Sequence, residues 1–246
     1  MKAFLAALMF LTRIPLPQIN ISKNDWHKSA IYFPLVGLVI GAILYLTSWG
    51  LERLFPTTVT AFLVVLMWIW ITGGLHIDGW MDLADGFGSN KSREQILEIM
   101  KDSRVGAMGV IAAICLIGGK WVAVYELLQH DRAIMLVMSP IFARFLLISA
   151  IRLFPYRQEG GIGAGLRTSL SVIIVFLNLL FILIVAYYLI GSIGILILGG
   201  TAIFSGLLAI NIYKKLEMLT GDCYGALVEW SEVVALFVSL AIWRIL

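Results

Sequence analysis

The sequence predicts an all-α polytopic integral membrane protein of about seven transmembrane helices plus short interfacial helices, and three observations predict it. The first is composition: 61% of residues are hydrophobic and 13% charged, against roughly half apolar and a quarter charged in soluble domains. The second is segmentation into apolar stretches near 29–51, 58–77, 105–128, 132–155, 169–190, 191–213 and 226–244, each near the roughly 20 residues that span a bilayer core. The third is charge asymmetry across those stretches. Thirteen of the 18 Lys and Arg residues fall on one side, Arg53, Arg132 and Arg244 on the other, and Lys120 and Arg144 inside spans. Cytoplasmic loops retain positive charge during insertion, so the basic side is expected to face the cytoplasm of an inner-membrane protein.

Taken in chain order, Lys2 and the run Ala3 to Leu11 could pass for a signal peptide. The run ends in Thr12-Arg13-Ile14-Pro15 without a small-residue cleavage pattern, so a retained short helix is expected. Spans must be helical, because backbone amides in lipid are satisfied only within a helix or a closed barrel, and barrel alternation is missing here. Ser92 and Gln95 form a capping-box pattern opening a short surface helix with Ile96, Leu97, Ile99 and Met100 apolar. Cys115 and Cys223 suggest no disulfide framework. The whole chain, 1–246, is expected to be one transmembrane catalytic domain, with no nucleic-acid partner and homo-oligomerisation left open.

The unusual polar sequence lies on the basic side. Asp78, Asp82 and Asp85 stand at i, i+4 and i+7, which puts three carboxylates within about a 60° arc of one helix face, spread over about 10 Å. They would repel one another unless a divalent cation neutralises them, and Mg²⁺ takes oxygen ligands together with water and substrate phosphate. A solvated acidic helix start, favoured by the helix dipole, is the competing reading. Asp222, Glu229 and Glu232 open the last span, where buried acids either meet a cation or pair with a base such as Arg104 or Arg157.

Arg104, Arg157 and Arg167 flank Gly-rich turns, a combination that suits phosphate, although juxtamembrane Arg also sets topology. Lys101 stands close by in sequence. Lys120 and Arg144 are intramembrane charges that could pair with Glu126 or face a polar cavity. His76 could bind metal, shuttle protons or simply donate a hydrogen bond.

Several stretches resemble the cobalamin synthase family, the adenosylcobinamide-GDP ribazoletransferases. They are Gly73-Gly74-Leu75-His76-Ile77-Asp78-Gly79 through Asp82 and Asp85-Gly86, Met100-Lys101-Asp102-Ser103-Arg104-Val105-Gly106, and Thr220-Gly221-Asp222 with Glu229. Phe10 to Pro15, Phe33 to Gly37 and Ser231-Glu232 extend the likeness over nearly the whole chain. Trp80, Met81 and Met218-Leu219 depart from the pattern.

The resemblance implies Mg²⁺-dependent attack by a hydroxyl of α-ribazole, or of its 5′-phosphate, on adenosylcobinamide-GDP with loss of GMP. It implies Asp78, Asp82 and Asp85 as metal ligands. Asp82, Asp85, His76 and Asp222 are the catalytic candidates, and Arg104, Arg157, Lys101 and Glu229 the phosphate-side ones. Two other readings are a CDP-alcohol-phosphotransferase-like lipid enzyme and a cation-coupled transporter. The first expects Ala-Arg where Asp82-Leu83 stands, and the second expects inverted repeats and midplane acids.

Overall fold

The structure, a computed structural model, describes residues 1–156, 163 and 165–245. The described residues form α1 (Lys2–Leu11), α2 (Lys23–Ser29), α3 (Phe33–Leu51), α4 (Thr57–Thr72), α5 (Leu75–Gly88), α6 (Arg93–Ile99), α7 (Ala107–Gln129), α8 (Met135–Leu153), α9 (Val172–Ile190), α10 (Ile193–Leu216) and α11 (Gly221–Ile245). Among the described residues six helical segments are long and apolar enough to cross a membrane, and the bent pair α4 and α5 makes a seventh candidate. The chain is an integral membrane protein, and its seven apolar stretches coincide with α3, α4 and α7 to α11.

Burial separates the bundle's centre from its rim. In α8, 78% of the apolar window is buried inside the protein, against 11% in α9. Helix α8 is therefore the central post, with α3 and α11 packed along it, and α9 presents Phe176, Leu180, Ile184 and Tyr187 outward. Outward apolar side chains are what a hydrocarbon solvent allows.

One boundary differs from the sequence expectation, and the difference makes the site. The stretch 58–77 does not continue through Ile77: α4 stops at Thr72, and α5 leaves at 91° to it. Gly73 and Gly74 both adopt left-handed backbone, φ 66° and 67°, which other residues adopt only at a cost. Arg13 closes the break: its backbone N–H donates to Ile71 O at 2.7 Å, and its side chain lies where a Cβ on Gly73 would go.

The 14 residues of α5 give a rod of roughly 21 Å, short of a roughly 30 Å hydrocarbon core. We read α5 as a short helix that runs beside the first turns of α7 and crosses α11, rather than as a span of its own. It packs on α11, α7 and α6. The remaining sequence-level elements hold: α1 is the short N-terminal helix, and the Ser92–Gln95 capping box opens α6.

Candidate active site

Helix α5 carries the acid ladder, and two contacts fix its height. The amides of Gly106 and Gly109, in the first turn of α7, donate to Asp85 Oδ2 and Oδ1 at 2.7 and 2.8 Å. Orphan amides at a helix start are satisfied this way. At the other contact α5 crosses the first turn of α11, where a Cβ on Gly79 would stand 2.6 Å from Asp222 O. Only a glycine permits that approach. Trp80 completes the seam, donating through Nε1 to Ala112 O at 3.0 Å and stacking on Trp230 at 5.9 Å.

The crossing brings Asp222 of α11 to the ladder of α5. Asp78 is exposed, and Asp82, Asp85 and Asp222 are half-buried. Burial is the main cause pushing the Asp82 carboxyl up to about 7, with repulsion from Asp78, Asp222 and Asp85 adding to it. Among the described residues the Asp78 and Asp82 carboxylates have no hydrogen-bond or ion-pair partner, so no described base compensates the negative charge here.

The donor set suits a hard divalent cation: oxygen ligands, excess negative charge, and an open side for water or phosphate. Among the described residues no three His, Cys, Asp or Glu side chains come together closely enough to hold a metal ion by themselves, so the expected set of Asp78, Asp82 and Asp85 is not assembled as three ligands. Asp85, expected among the ligands, already gives both oxygens to amides. Asp78, Asp82 and Asp222 are thus the less committed acids, with Asp222 accepting a 3.4 Å contact from Thr220 Oγ1 and a bond from its own backbone amide.

Glu229 stands elsewhere. Expected on the phosphate side, it is 2% exposed and receives Lys120 Nζ at 2.6 Å. Lys120 also pairs with Glu232, which in turn takes Arg144, and Lys120 lies 4.5 Å from the centre of the Trp68 ring. Two bases and two acids close into a formally neutral quartet, because an ion in the bundle interior is stable only beside its counterion. Glu126 is not their partner; it lies 3.8 Å from His130 at the opposite end of α7.

The other expected residues divide. His76 is 4% exposed and lines a cavity with Asp78 and Asp222. Arg104 is largely solvent-facing and pairs with Asp102 at 2.6 Å in its own loop. Lys101 is exposed, with only a backbone bond to Glu98. Arg157 lies outside the described residues. Sequence reasoning missed Arg13 at the α4–α5 break, the Gly106 and Gly109 amides, and Tyr224 beside Asp222. Arg13 and Gly106 lie within motifs already singled out, and Gly109 and Tyr224 just beyond them, but the pairings cross long sequence separations that spacing does not reveal.

Fold and site together define a polytopic helical membrane protein with an oxygen-donor site at one end of its bundle. A family model described as cobalamin-5-phosphate synthase matches residues 3–240, and the chain belongs to that family. It is 45% identical over 253 residues to the adenosylcobinamide-GDP ribazoletransferase of Brevibacillus brevis, covering 99% of each chain. The proteins of that name from Clostridioides difficile and Desulfitobacterium hafniense are 34% and 36% identical, each alignment covering 96% of this chain and 96% and 95% of the relative. No solved structure matches.

Proposed function

We propose that this chain is an adenosylcobinamide-GDP ribazoletransferase acting at the cytoplasmic face of the membrane. The observation that carries the reading is the uncompensated acid group of Asp78, Asp82 and Asp222 where α5 crosses α11. The names of the relatives supply the substrates, and the excess of basic residues on the same side supports a cytoplasmic face.

In the reaction a hydroxyl oxygen of α-ribazole, or of its 5′-phosphate, bonds to the cobinamide-side phosphorus of the diphosphate. The P–O bond to GMP breaks, GMP takes the electron pair, and the hydroxyl proton goes to a base. Asp78 and Asp82 are the residues that would hold Mg²⁺, which would neutralise diphosphate charge when bound. Asp222, on a neighbouring helix and facing the cavity, accepts the proton at a carboxylate oxygen. Asp85 anchors α5 to α7 and so keeps the ladder in register. Arg13, at the α4–α5 break, and Arg167, whose charge acts on Tyr224, are the described bases offered to an incoming phosphate.

The test is incubation of the purified protein with adenosylcobinamide-GDP and α-ribazole or α-ribazole 5′-phosphate, in Mg²⁺ or EDTA, with GMP and cobamide both measured. Both products in Mg²⁺ and neither in EDTA is the expected result. Absence of both in Mg²⁺ would sink the reading.

A further inference from the structure

A cavity of about 130 Å³ opens beside Asp78 and Asp222. Its walls are mostly apolar: Phe10 of α1, Phe33 of α3, Leu147 and Ile151 of α8, and Leu166. Among the described residues four polar side chains interrupt that lining: Asp78 and Asp222 at the mouth, and the buried His76 and Tyr224, 4% and 6% exposed. His76 Nδ1 and Tyr224 Oη are buried atoms without a hydrogen-bond partner among the described residues. Buried polar groups are nearly always paired, so two orphans lining one cavity point to a ligand that pairs them. The Tyr224 ring is held in place by stacking on Tyr156 at 5.5 Å, and Tyr156 Oη accepts from the Gly163 amide at 3.1 Å.

We propose that this cavity seats the heteroaromatic base of the acceptor nucleoside. The carbocyclic half of a benzimidazole fills the apolar end, and its free ring nitrogen and sugar meet Tyr224 and His76. The proposal rests on the ribazoletransferase reading above and adds where the acceptor binds.

Volume, lining and mouth each narrow the occupant. A dry cavity of about 150 Å³ takes a benzene-sized ring, so this one seats one ring of a bicycle and excludes a corrinoid. An α-ribazole base has a single ring nitrogen free to accept, which the Tyr224 hydroxyl satisfies. A lipid chain would leave both orphans unpaired. The acids at the mouth complete the fit, because a base seated here holds its sugar hydroxyls beside Asp78 and Asp222.

The experiment titrates α-ribazole alone into the full chain in lipid nanodiscs, following the ligand's fluorescence, with no second substrate present. Two variants are compared with wild type: Tyr224→Phe, which removes only the hydroxyl, and Leu147→Trp, which fills the apolar end. A neutral hydrogen bond to a ring nitrogen corresponds to about five- to tenfold in affinity. Tyr224→Phe should lose about that factor, and Leu147→Trp should lose measurable binding. Both should keep the wild-type Kd for adenosylcobinamide-GDP titrated alone, which also shows that they fold. An analogue with the ring nitrogen replaced by CH should bind wild type as weakly as α-ribazole binds Tyr224→Phe, and should lose nothing further in that variant.

Wild-type affinity in both variants, competition by GDP for the α-ribazole signal, or no α-ribazole binding to wild type would each overturn the proposal. A wild-type protein that binds α-ribazole yet releases no GMP from adenosylcobinamide-GDP would overturn the functional reading and leave the cavity assignment standing.

Discussion

Helix α11 carries two kinds of acid seven residues apart, about 10 Å along the axis. Asp222 sits at the mouth among like charges. Glu229 and Glu232 sit in the interior, each against a base. The difference lies in compensation, since depth alone would make the interior acids the more suspicious pair. A protein that balances its buried ions and leaves a cluster unbalanced at an open edge stores negative potential where a cation and a phosphate can use it. Balanced charge here holds the bundle together, and unbalanced charge is available for chemistry.

The largest expected effect of breaking this contrast is on the balanced side. Glu232→Gln leaves Arg144 and Lys120 short of a counterion in the interior and should cost about 3–5 kcal/mol of stability, read by denaturant unfolding in detergent. Replacing Lys120 and Glu229 together by Met and Gln should cost less than the sum of the two single changes, because the pair leaves as a unit. Simple additivity would mean that the quartet is not coupled.

Next comes the seam between the two regions. Gly79→Ala forces α5 off the first turn of α11 and should cost about 1–3 kcal/mol by overpacking. It should also raise the KM for adenosylcobinamide-GDP, since Asp222 would no longer meet the ladder. Unchanged kinetics would show that the crossing does not position the acids.

The smallest effect is a pH dependence confined to the mouth. An unfolded Asp loses its proton near about 3.9, the folded Asp82 near about 7. Between those values the folded chain binds the proton more tightly than the unfolded one. Stability from this group therefore falls as pH rises through that window, and the penalty is complete above it. In EDTA, wild type should unfold at a lower temperature at pH 8 than at pH 5.5, with a shallower slope in Asp82→Asn. An identical slope in both proteins would remove the claim that Asp82 sits in uncompensated charge.

Much of this was legible in the sequence, and the gaps have physical causes. Apolar length and basic loops located all seven bundle helices, because lipid imposes one simple rule on each segment. The i, i+4, i+7 spacing placed the acid ladder on one helix. Gly73-Gly74 was visible as a motif, yet periodicity ran straight through it, since Leu75, His76 and Ile77 extend an apolar run whichever way the chain turns. Lys120, Arg144, Glu229 and Glu232 were each visible as intramembrane charges. Their partners were not, because pairing across α7, α8 and α11 depends on helix rotation; the sequence offered Glu126 for the bases and Arg104 or Arg157 for the acids, and neither pairing forms among the described residues. The amides on Asp85 belong to backbone, which no side-chain pattern announces.

The contrast between the two regions is tested most directly by Asp82→Asn, measured for Mg²⁺-dependent GMP release and for thermal unfolding in one preparation. Charge stabilisation at a transferring phosphoryl group is worth several kcal/mol, which converts to about 10²–10³-fold in rate. The account predicts a loss of that size with unfolding at pH 8 unchanged or shifted to higher temperature. Full turnover in Asp82→Asn, or a loss that merely tracks unfolding, would contradict it.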